Sequence, residues 1–435
     1  MGAAVKHRGT RHNITSIDNI HVVFSCLPIT DQEAPMQPFV HEGKMFWMNG
    51  FISNWKELTS KYKIDLSTNC DTELLSKFPG SYLELNGFFS IVIYYKGTLQ
   101  VFTDRYGIKQ LYQYQEGETT FICSELKGIK SVCDLEIDPV AVDDWLYSLG
   151  VMTRDTIYKG IKRVNQLLVA NYPETISISY PEAKSQLKKL LNQSIRRNKV
   201  EGLKDGVFLS GGIDSGYLAK ELNPDYCFSM DYQDEKFSEI ENIKLNSVGT
   251  HITMVCNPDL FDRYIDKTFL ALDDLKAGSS WTNFALTEVA SKFCTVLYSG
   301  AGGDEIFNGY THRYDKNIQD VIKRTEHKTE RLYPNLTHAE YDYQFLKAIL
   351  VVEDRISGFH TMETRYPFLD NDLVDFVLSL PAMYKVNKRI LRDVCGLHDQ
   401  VANGAKRGFS NPYLTNYEWA QYALRQLTGV SGADF

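Results

Sequence analysis

The stretch Val207-Phe208-Leu209-Ser210-Gly211-Gly212-Ile213-Asp214-Ser215 confines the middle of this chain to one local arrangement. Strand-forming residues run into a Ser/Gly turn. A helix-compatible segment, Gly216 to Leu222, follows and is closed by Asn223-Pro224. A strand, a glycine-bearing loop and a helix N-terminus in that order make an anion site. The glycines let backbone N–H groups approach a ligand, and the helix dipole favours negative charge there. The loop carries no Lys, which separates it from the Gly-Lys-Ser/Thr loops that hold a transferring γ-phosphate. Asp214 inside such a loop would repel phosphate unless a Mg²⁺ bridges the two.

The surrounding pattern is an α/β alternation. Pro181 to Arg197 places Leu187, Leu190, Leu191 and Ile195 on one helical face. Strands are expected up to Leu209 and at Tyr226–Met230, His251–Val255 and Thr295–Tyr298, with a polar helix over Phe237–Val248. This predicts a parallel sheet with helices on both faces and a site at the carboxyl ends of its strands. The first ~135 residues differ, with short β-type runs at His21–Ser25, Lys44–Met48, Phe88–Tyr95, Leu99–Phe102 and Thr120–Cys123. Lys96-Gly97 is a hairpin signal, and Asn54–Tyr62 and Asp71–Phe78 read as short helices. The expectation is an α+β region of packed antiparallel sheets over 1–135, a connecting segment over 136–180 with a helix near Pro139–Leu149, and an α/β domain over 181–435. The last third reads as mostly helical, with Asp315–Tyr341 a polar surface excursion.

Bulk properties narrow the function classes. The 435 residues suffice for two or three domains, and the net charge of −8 argues against a nucleic-acid surface. No apolar run approaches the ~18 residues of a membrane span, and the N-terminus lacks the apolar segment of a secretory signal. The eight cysteines form no Cys-x-x-Cys pair, so zinc spacing is absent, and they read as reduced thiols of a cytoplasmic protein.

Three further constellations carry chemistry. Tyr298 to Tyr310 contains Ser299-Gly300-Ala301-Gly302-Gly303-Asp304-Glu305 after a strand, so Asp304 would complete a magnesium site with Asp214. Asp354 to Asp370 holds Asp354-Arg355-Ile356-Ser357-Gly358 and Glu363-Thr364-Arg365-Tyr366-Pro367-Phe368-Leu369-Asp370. Lys388-Arg389-Ile390-Leu391-Arg392 follows. Each alone also reads as an ordinary charged helix or loop, and Glu363 as a structural carboxylate paired with Arg365 or Arg355.

Ser210-Gly211-Gly212-Ile213-Asp214-Ser215 resembles the pyrophosphate loop of the ATP pyrophosphatases. In order and type, the four motifs resemble those of the asparagine synthetase family, with Gly358 where that family usually has Met and a late Lys406–Pro412 similar to its basic Gly-Phe segment. Lys6-His7-Arg8-Gly9, Met48–Asn54, Asp71-Thr72-Glu73, Asn86–Phe89, Asp104–Tyr112 and Ser124–Lys127 resemble the class II glutamine amidotransferase domain of the same family. The likeness spans nearly the whole chain. It implies an Ntn-hydrolase-like antiparallel β-sandwich followed by an ATP-pyrophosphatase domain with a helical C-terminal part.

The resemblance also implies roles. Leu209, Ser210, Gly211, Gly212, Asp214, Ser215, Met230, Ser299, Gly300 and Gly302 would bind ATP, with Met230 meeting the adenine. Asp214 and Asp304 would hold Mg²⁺. Lys388 would neutralise charge on pyrophosphate and the transition state, and Glu363 would orient or deprotonate an amine. Asn49 and Gly50 correspond to an oxyanion hole, and Asp71 to the group that holds the glutamine amine. Three departures stand out: no Cys lies near residue 1, Cys26 replaces an Arg that grips the glutamine carboxylate, and Ala301 replaces the usual Glu. Without a nucleophile the glutamine domain is expected to be inactive. The expected function is an AMP-forming, ATP- and Mg²⁺-dependent ligase that amidates a small-molecule carboxylate, aspartate first, with ammonia or an amine. No nucleic-acid or membrane partner is expected, and a homodimer is a possible assembly. The alternatives are amidation or cyclisation of another carboxylate, as in β-lactam synthetases and lasso-peptide cyclases, or a non-catalytic nucleotide-binding homologue.

Overall fold

The structure is a computed structural model that describes residues 1–142, 156–164, 173–233, 238–273, 280–310 and 338–404, and positions 422, 425 and 426. A 3-10 segment, Gly2–Arg8, leads into a hairpin of β1 (Arg11–Ile17) and β2 (Ile20–Cys26). Then β3 (Phe39–His41), β4 (Lys44–Ile52), β5 (Gly87–Tyr95) and β6 (Thr98–Thr103) form a four-stranded antiparallel sheet in chain order. Two helices, α1 (Trp55–Tyr62) and α2 (Asp71–Lys77), connect β4 to β5. A third antiparallel sheet joins β7 (Tyr112–Glu116), β8 (Thr119–Cys123) and β9 (Lys162–Arg163), with α3 (Leu126–Lys130) after β8. Residues from the expected connecting segment thus complete a sheet of the first region.

The chain then changes architecture at α4 (Tyr180–Asn198), opened by a capping box between Ser179 and Glu182. Its buried positions are Ala183, Leu187, Leu191, Ser194 and Asn198, so Leu190 and Ile195 sit at the margins of the expected stripe. The following strands are β10 (Asp205–Phe208), β11 (Tyr226–Tyr232), β12 (Thr250–Cys256), β13 (Val296–Tyr298) and β14 (Glu363–Arg365). They form one parallel sheet in the order β12-β11-β10-β13-β14. The helices are α5 (Ile213–Leu222), α6 (Ile240–Asn246), α7 (Pro258–Leu272), α8 (Ser280–Ala290), α9 (Gly303–Ile306), α10 (His338–Phe359), α11 (Asn371–Ser379), α12 (Ala382–Lys385), α13 (Arg389–Cys395) and α14 (Asp399–Ala402). All three residues of β13 are buried, as a central strand covered on both faces requires.

The strands and helices expected in these regions are present, with ends displaced by a few residues. The polar helix is described only over Ile240–Asn246. The strands β1, β3, β7, β9 and β14 were not expected. β14 is three residues in a motif of mixed charge, and only pairing of Val296 with Glu363 and Tyr298 with Arg365 makes it a strand. The expected helix near 139–149 begins at 139–142, and its remainder lies outside the described residues. Most of the expected 315–341 excursion and the whole 406–412 segment also lie outside them. No helix among the described residues is long and apolar enough to cross a membrane, and all eight cysteines are free.

One apolar cluster runs through both architectures. It takes Ile52, Leu74, Phe88 and Ile91 from the antiparallel part and Val207, Leu209, Tyr298 and Phe368 from the parallel part. The two parts are packed into one another, and the site geometry depends on that packing.

Candidate active site

The strand order reverses between β10 and β13, which are neighbours in space but are separated by β11 and β12 in sequence. Ligands of open α/β sheets bind at such a point, outside the carboxyl ends of the strands. Both glycine loops fall there, Leu209–Gly212 after β10 and Ser299–Gly302 after β13. The Leu209 N–H donates to Phe228 O at 2.8 Å, and the Ser229 hydroxyl donates to Leu209 O at 2.7 Å, tying the first loop to β11. Ser215, in the first turn of α5, accepts from the Ser210 N–H at 3.0 Å. The Gly211 N–H donates to a carboxylate of Glu239 at 3.2 Å. A carboxylate of the chain itself thus accepts from one of the loop's amides. Glu239 carries no motif signal in the sequence.

The second loop is shaped by Gly302. Its φ of +95° lies in the left-handed region, and a Cβ there would stand 2.5 Å from Leu369 Cδ2. The Gly302 N–H donates to Glu305 at 3.1 Å, and the Ser299 hydroxyl accepts from the Ala301 N–H at 3.2 Å. Gly300 packs directly on Asp214, so the two loops touch. Met230 lies in β11, two residues before its end, and is half-buried between two apolar clusters.

Lys388 joins the loops. Its Nζ is hydrogen-bonded to Asp214 and lies 2.6 Å from Asp304 Oδ1. The side chain is buried at 3% exposure. Asn387 and Lys388 both have positive φ, +55° and +57°. Their N–H groups donate to Asn308 O and Phe307 O, both at 3.1 Å, so the segment after Asp304 holds this kink. Non-glycine residues rarely adopt that conformation, and it persists only when surroundings over-determine it, as at functional sites. Residues 174 and 84 positions apart from Lys388 are thereby gathered on one point.

Two carboxylates that converge on a buried positive centre are also the donor set of a divalent cation. Asp214 and Asp304, here paired to Lys388, are the two residues that would hold Mg²⁺. Such an ion would offset the charge of a bound triphosphate.

Glu363 lies elsewhere. It is at the amino end of β14, paired in register with Val296, whereas the loops follow the carboxyl ends. Its Oε1 accepts from Arg365 Nε at 2.9 Å, and Arg365 stacks on Phe51 at 3.8 Å. Arg365, and not Arg355, is the structural partner of Glu363. Arg355 instead bonds Tyr112 and the Leu272 carbonyl. Glu363 nevertheless faces a cavity, and the described wall of that cavity includes Asn49, Gly50 and Asp71. The resemblance assigned these residues to two different reactions; the structure puts them around one space.

That space contains no activated thiol among its described residues. Burial and the neighbouring Asp71 push the Cys26 thiol up, against a smaller opposing effect of Arg11. Burial and Asp71 drive adjacent Cys70 to about 12. Neither presents a thiolate near neutral pH.

Four motif segments without an assigned reaction meet in a buried ion cluster. Arg8 donates to Glu125 at 2.9 Å and to Asp354 at 3.0 Å, bridging the two regions. His7 and Lys127 contact the same Glu125, and Lys109 reaches Asp354 at 2.6 Å. Burial alone would raise both acids. His7, Arg8 and Lys127 hold Glu125 well below the usual carboxylate range, and Lys109 and Arg8 hold Asp354 below it. A Cβ at Gly358 would lie 2.7 Å from Arg8 Nη1, so glycine at that position makes room for the guanidinium. The motif letters were legible in the sequence, but their meeting was not.

A second acid pair behaves oppositely. Burial, aided by the Glu305 charge, raises Glu353 to about 7, and burial with the Asp304 charge raises Glu305 to about 7. Because their folded values exceed their unfolded ones, the stability they contribute is complete below about pH 4.3 and is lost as pH rises through 7. Glu353→Gln is therefore expected to raise Tm relative to the parent by about 2 °C or more at pH 8. Calorimetry at pH 5 should show little difference between the two.

The asparagine synthase family model matches residues 186–342 and 325–430, and the glutamine amidotransferase domain model matches residues 1–177. A probable glutamine-hydrolysing asparagine synthetase of Acanthamoeba polyphaga mimivirus is 27% identical over 417 residues, covering 86% of this chain and 73% of its own. A putative one from Methanocaldococcus jannaschii is 28% identical over 384 residues, 74% of each chain. The asparagine synthetase of Rattus norvegicus is 25% identical over 430 residues, 88% of this chain and 74% of its own. With both family models accounting for most of its length, the chain belongs to the asparagine synthase family of ATP-dependent carbon–nitrogen ligases.

Proposed function

We propose that this protein activates a carboxylic acid, aspartate being the first candidate, as an acyl-adenylate and then joins it to ammonia or another amine. The observation that carries this reading is the convergence of Asp214, Asp304 and Lys388 where the two glycine loops meet. A substrate carboxylate oxygen attacks the α-phosphorus of ATP, and the α–β P–O bond breaks to release pyrophosphate. The loop amides and the α5 N-terminus bind the departing anion. Lys388 neutralises charge that grows on it, and preorganised charge of this kind is often the largest catalytic contribution. An amine nitrogen then attacks the acyl carbon, the C–O bond to AMP breaks, and the nitrogen's surplus proton passes to a carboxylate. Glu363 is the candidate acceptor, with Arg365 fixing its orientation.

Ala301 supports a second reading of the acid. Its methyl group stands in the loop after β13 and packs on the core, so it supplies no charge there. A carboxylate other than aspartate is then the substrate. ATP–pyrophosphate exchange across a panel of acids tests both readings. Exchange with aspartate, followed by ammonia-dependent asparagine formation, supports the first. Exchange with another acid alone supports the second, and absence of exchange with every acid overturns adenylation.

A further inference from the structure

Arg163 closes β9 and stands opposite Tyr112 in the pairing of β9 with β7, so the two side chains share one face of that sheet. Tyr112 is buried on this face and bonds Arg355 of α10. Arg163 therefore sits where the antiparallel region meets α10. Its Nε and Nη2 are both buried, and among the described residues neither has a hydrogen-bond acceptor. Other buried arginines have anionic partners: Arg8 has Glu125 and Asp354, Arg197 has Asp370, and Arg365 has Glu363. Buried donors without acceptors are rare in native proteins, and each needs a physical explanation.

The two open donors define a recognition edge. Nε–H and Nη2–H point the same way from the guanidinium plane, as the fork that takes two oxygens of one carboxylate or phosphate. A second cation belongs to the same place. Lys347 lies about two turns before Arg355 on α10. Burial and the Arg163 charge lower its ammonium to about 8, against a smaller opposing effect of Asp104. Asp104 does not neutralise the pair, because its carboxylate is taken up by the N–H groups of Phe89, Tyr106, Ile108 and Lys109. Two cations held together out of water repel one another unless an anion joins them. The fork takes two oxygens and the ammonium a third. Two positive charges and three oxygens suit a tetrahedral dianion better than a planar, singly charged carboxylate.

We propose that Arg163 and Lys347 form a binding site for a phosphate group carrying two negative charges, at the contact of β9 with α10. The site shares no residue with the two glycine loops or with Asp214, Asp304 and Lys388, and it does not depend on the ligase reading above. A phosphate bound there ties the antiparallel region to α10, the helix that also carries Asp354 of the ion cluster. The ligand therefore acts on the union of the two regions.

The test is thermal unfolding of the full chain at neutral pH in sodium phosphate, with sodium chloride at equal ionic strength as control. The parent Tm is expected to rise saturably with phosphate, by about 2 °C or more. Arg163→Gln and Lys347→Gln are each expected to lose about half of that rise or more. The glycine loops are unchanged in both variants, and exclusion of phosphate from the surface raises Tm in all three proteins alike. AMP in place of phosphate separates the two sources of such a group. An Arg163-dependent rise with AMP alone assigns the site to a phosphate ester, and one with phosphate assigns it to the free ion. A rise retained in full by both variants, or no saturable rise with either ligand, overturns the proposal. In chloride alone, Arg163→Gln is expected to melt no more than about 1 °C below the parent, since the guanidinium edge has no acceptor to lose. A larger fall marks Arg163 as a structural residue and also overturns the proposal.

Discussion

Lys388→Met is expected to lower kcat by at least about 10²–10³-fold, the scale seen when one preorganised charge-stabilising group is removed. ATP affinity should change by only a few-fold, because the loop amides, Ser210 and Ser215 are untouched. The structure gives the prediction a second readout. In the parent, the ammonium lies against both Asp214 and Asp304. In the variant those carboxylates face one another without it, so the protein loses stability. Added Mg²⁺ is expected to raise Tm more in Lys388→Met than in the parent. Steady-state kinetics with the acid found by exchange, and thermal melts with and without Mg²⁺, check the two parts. A fully active variant would remove Lys388 from the mechanism.

Arg8→Ala carries the largest expected stability effect. Arg8 is 9% exposed and is shared by Glu125 and Asp354. Breaking a buried ion pair by removing one partner costs about 3–5 kcal/mol, chiefly because the remaining charge is left uncompensated. Glu125 keeps His7 and Lys127, and Asp354 keeps Lys109, which favours the lower end of that range. The pH dependence has a definite sign. Both acids titrate below their unfolded values, so their stabilisation is present above about pH 4.3 and is lost as pH falls through the folded values. Without Arg8 those folded values rise. Arg8→Ala should therefore unfold at a higher pH than the parent in an acid titration followed by near-ultraviolet circular dichroism. An unchanged midpoint would mean that the cluster does not hold the two regions together.

Much of this protein is legible in its sequence because the informative signals are local. Strand, glycine loop and helix N-terminus at Val207–Leu222 are consecutive residues whose φ/ψ needs are set within a few positions, although the strand and loop amides find their partners in β11, β13 and Glu239. The same holds for the loop after β13 and for the alternating strands of the first region. Reading fails where an element exists only through a partner. β14 is a strand because β13 offers it a free edge. β9 is two residues long and pairs with β7. Asp104 belongs to a motif that reads as functional, yet its carboxylate accepts the N–H groups of Phe89, Tyr106, Ile108 and Lys109 and shapes a turn. That bonding fixes the segment from which Lys109 reaches Asp354.

The sequence by itself determined the residue types and their order, an anion-binding loop without Lys, two aspartates in glycine-rich loops and a late Lys, and the expected class of chemistry follows from the resemblance of that order to one family. Tertiary structure decided which of them act together. A left-handed kink at Asn387–Lys388, held by the carbonyls of Phe307 and Asn308, aims the ammonium at both aspartates. Packing of the two regions on one apolar core brings Glu363 to the cavity of Asp71 rather than to the loops. Charge interactions at a few ångströms depend on spatial distance, and separations of 174 or 245 residues along the chain do not reveal it.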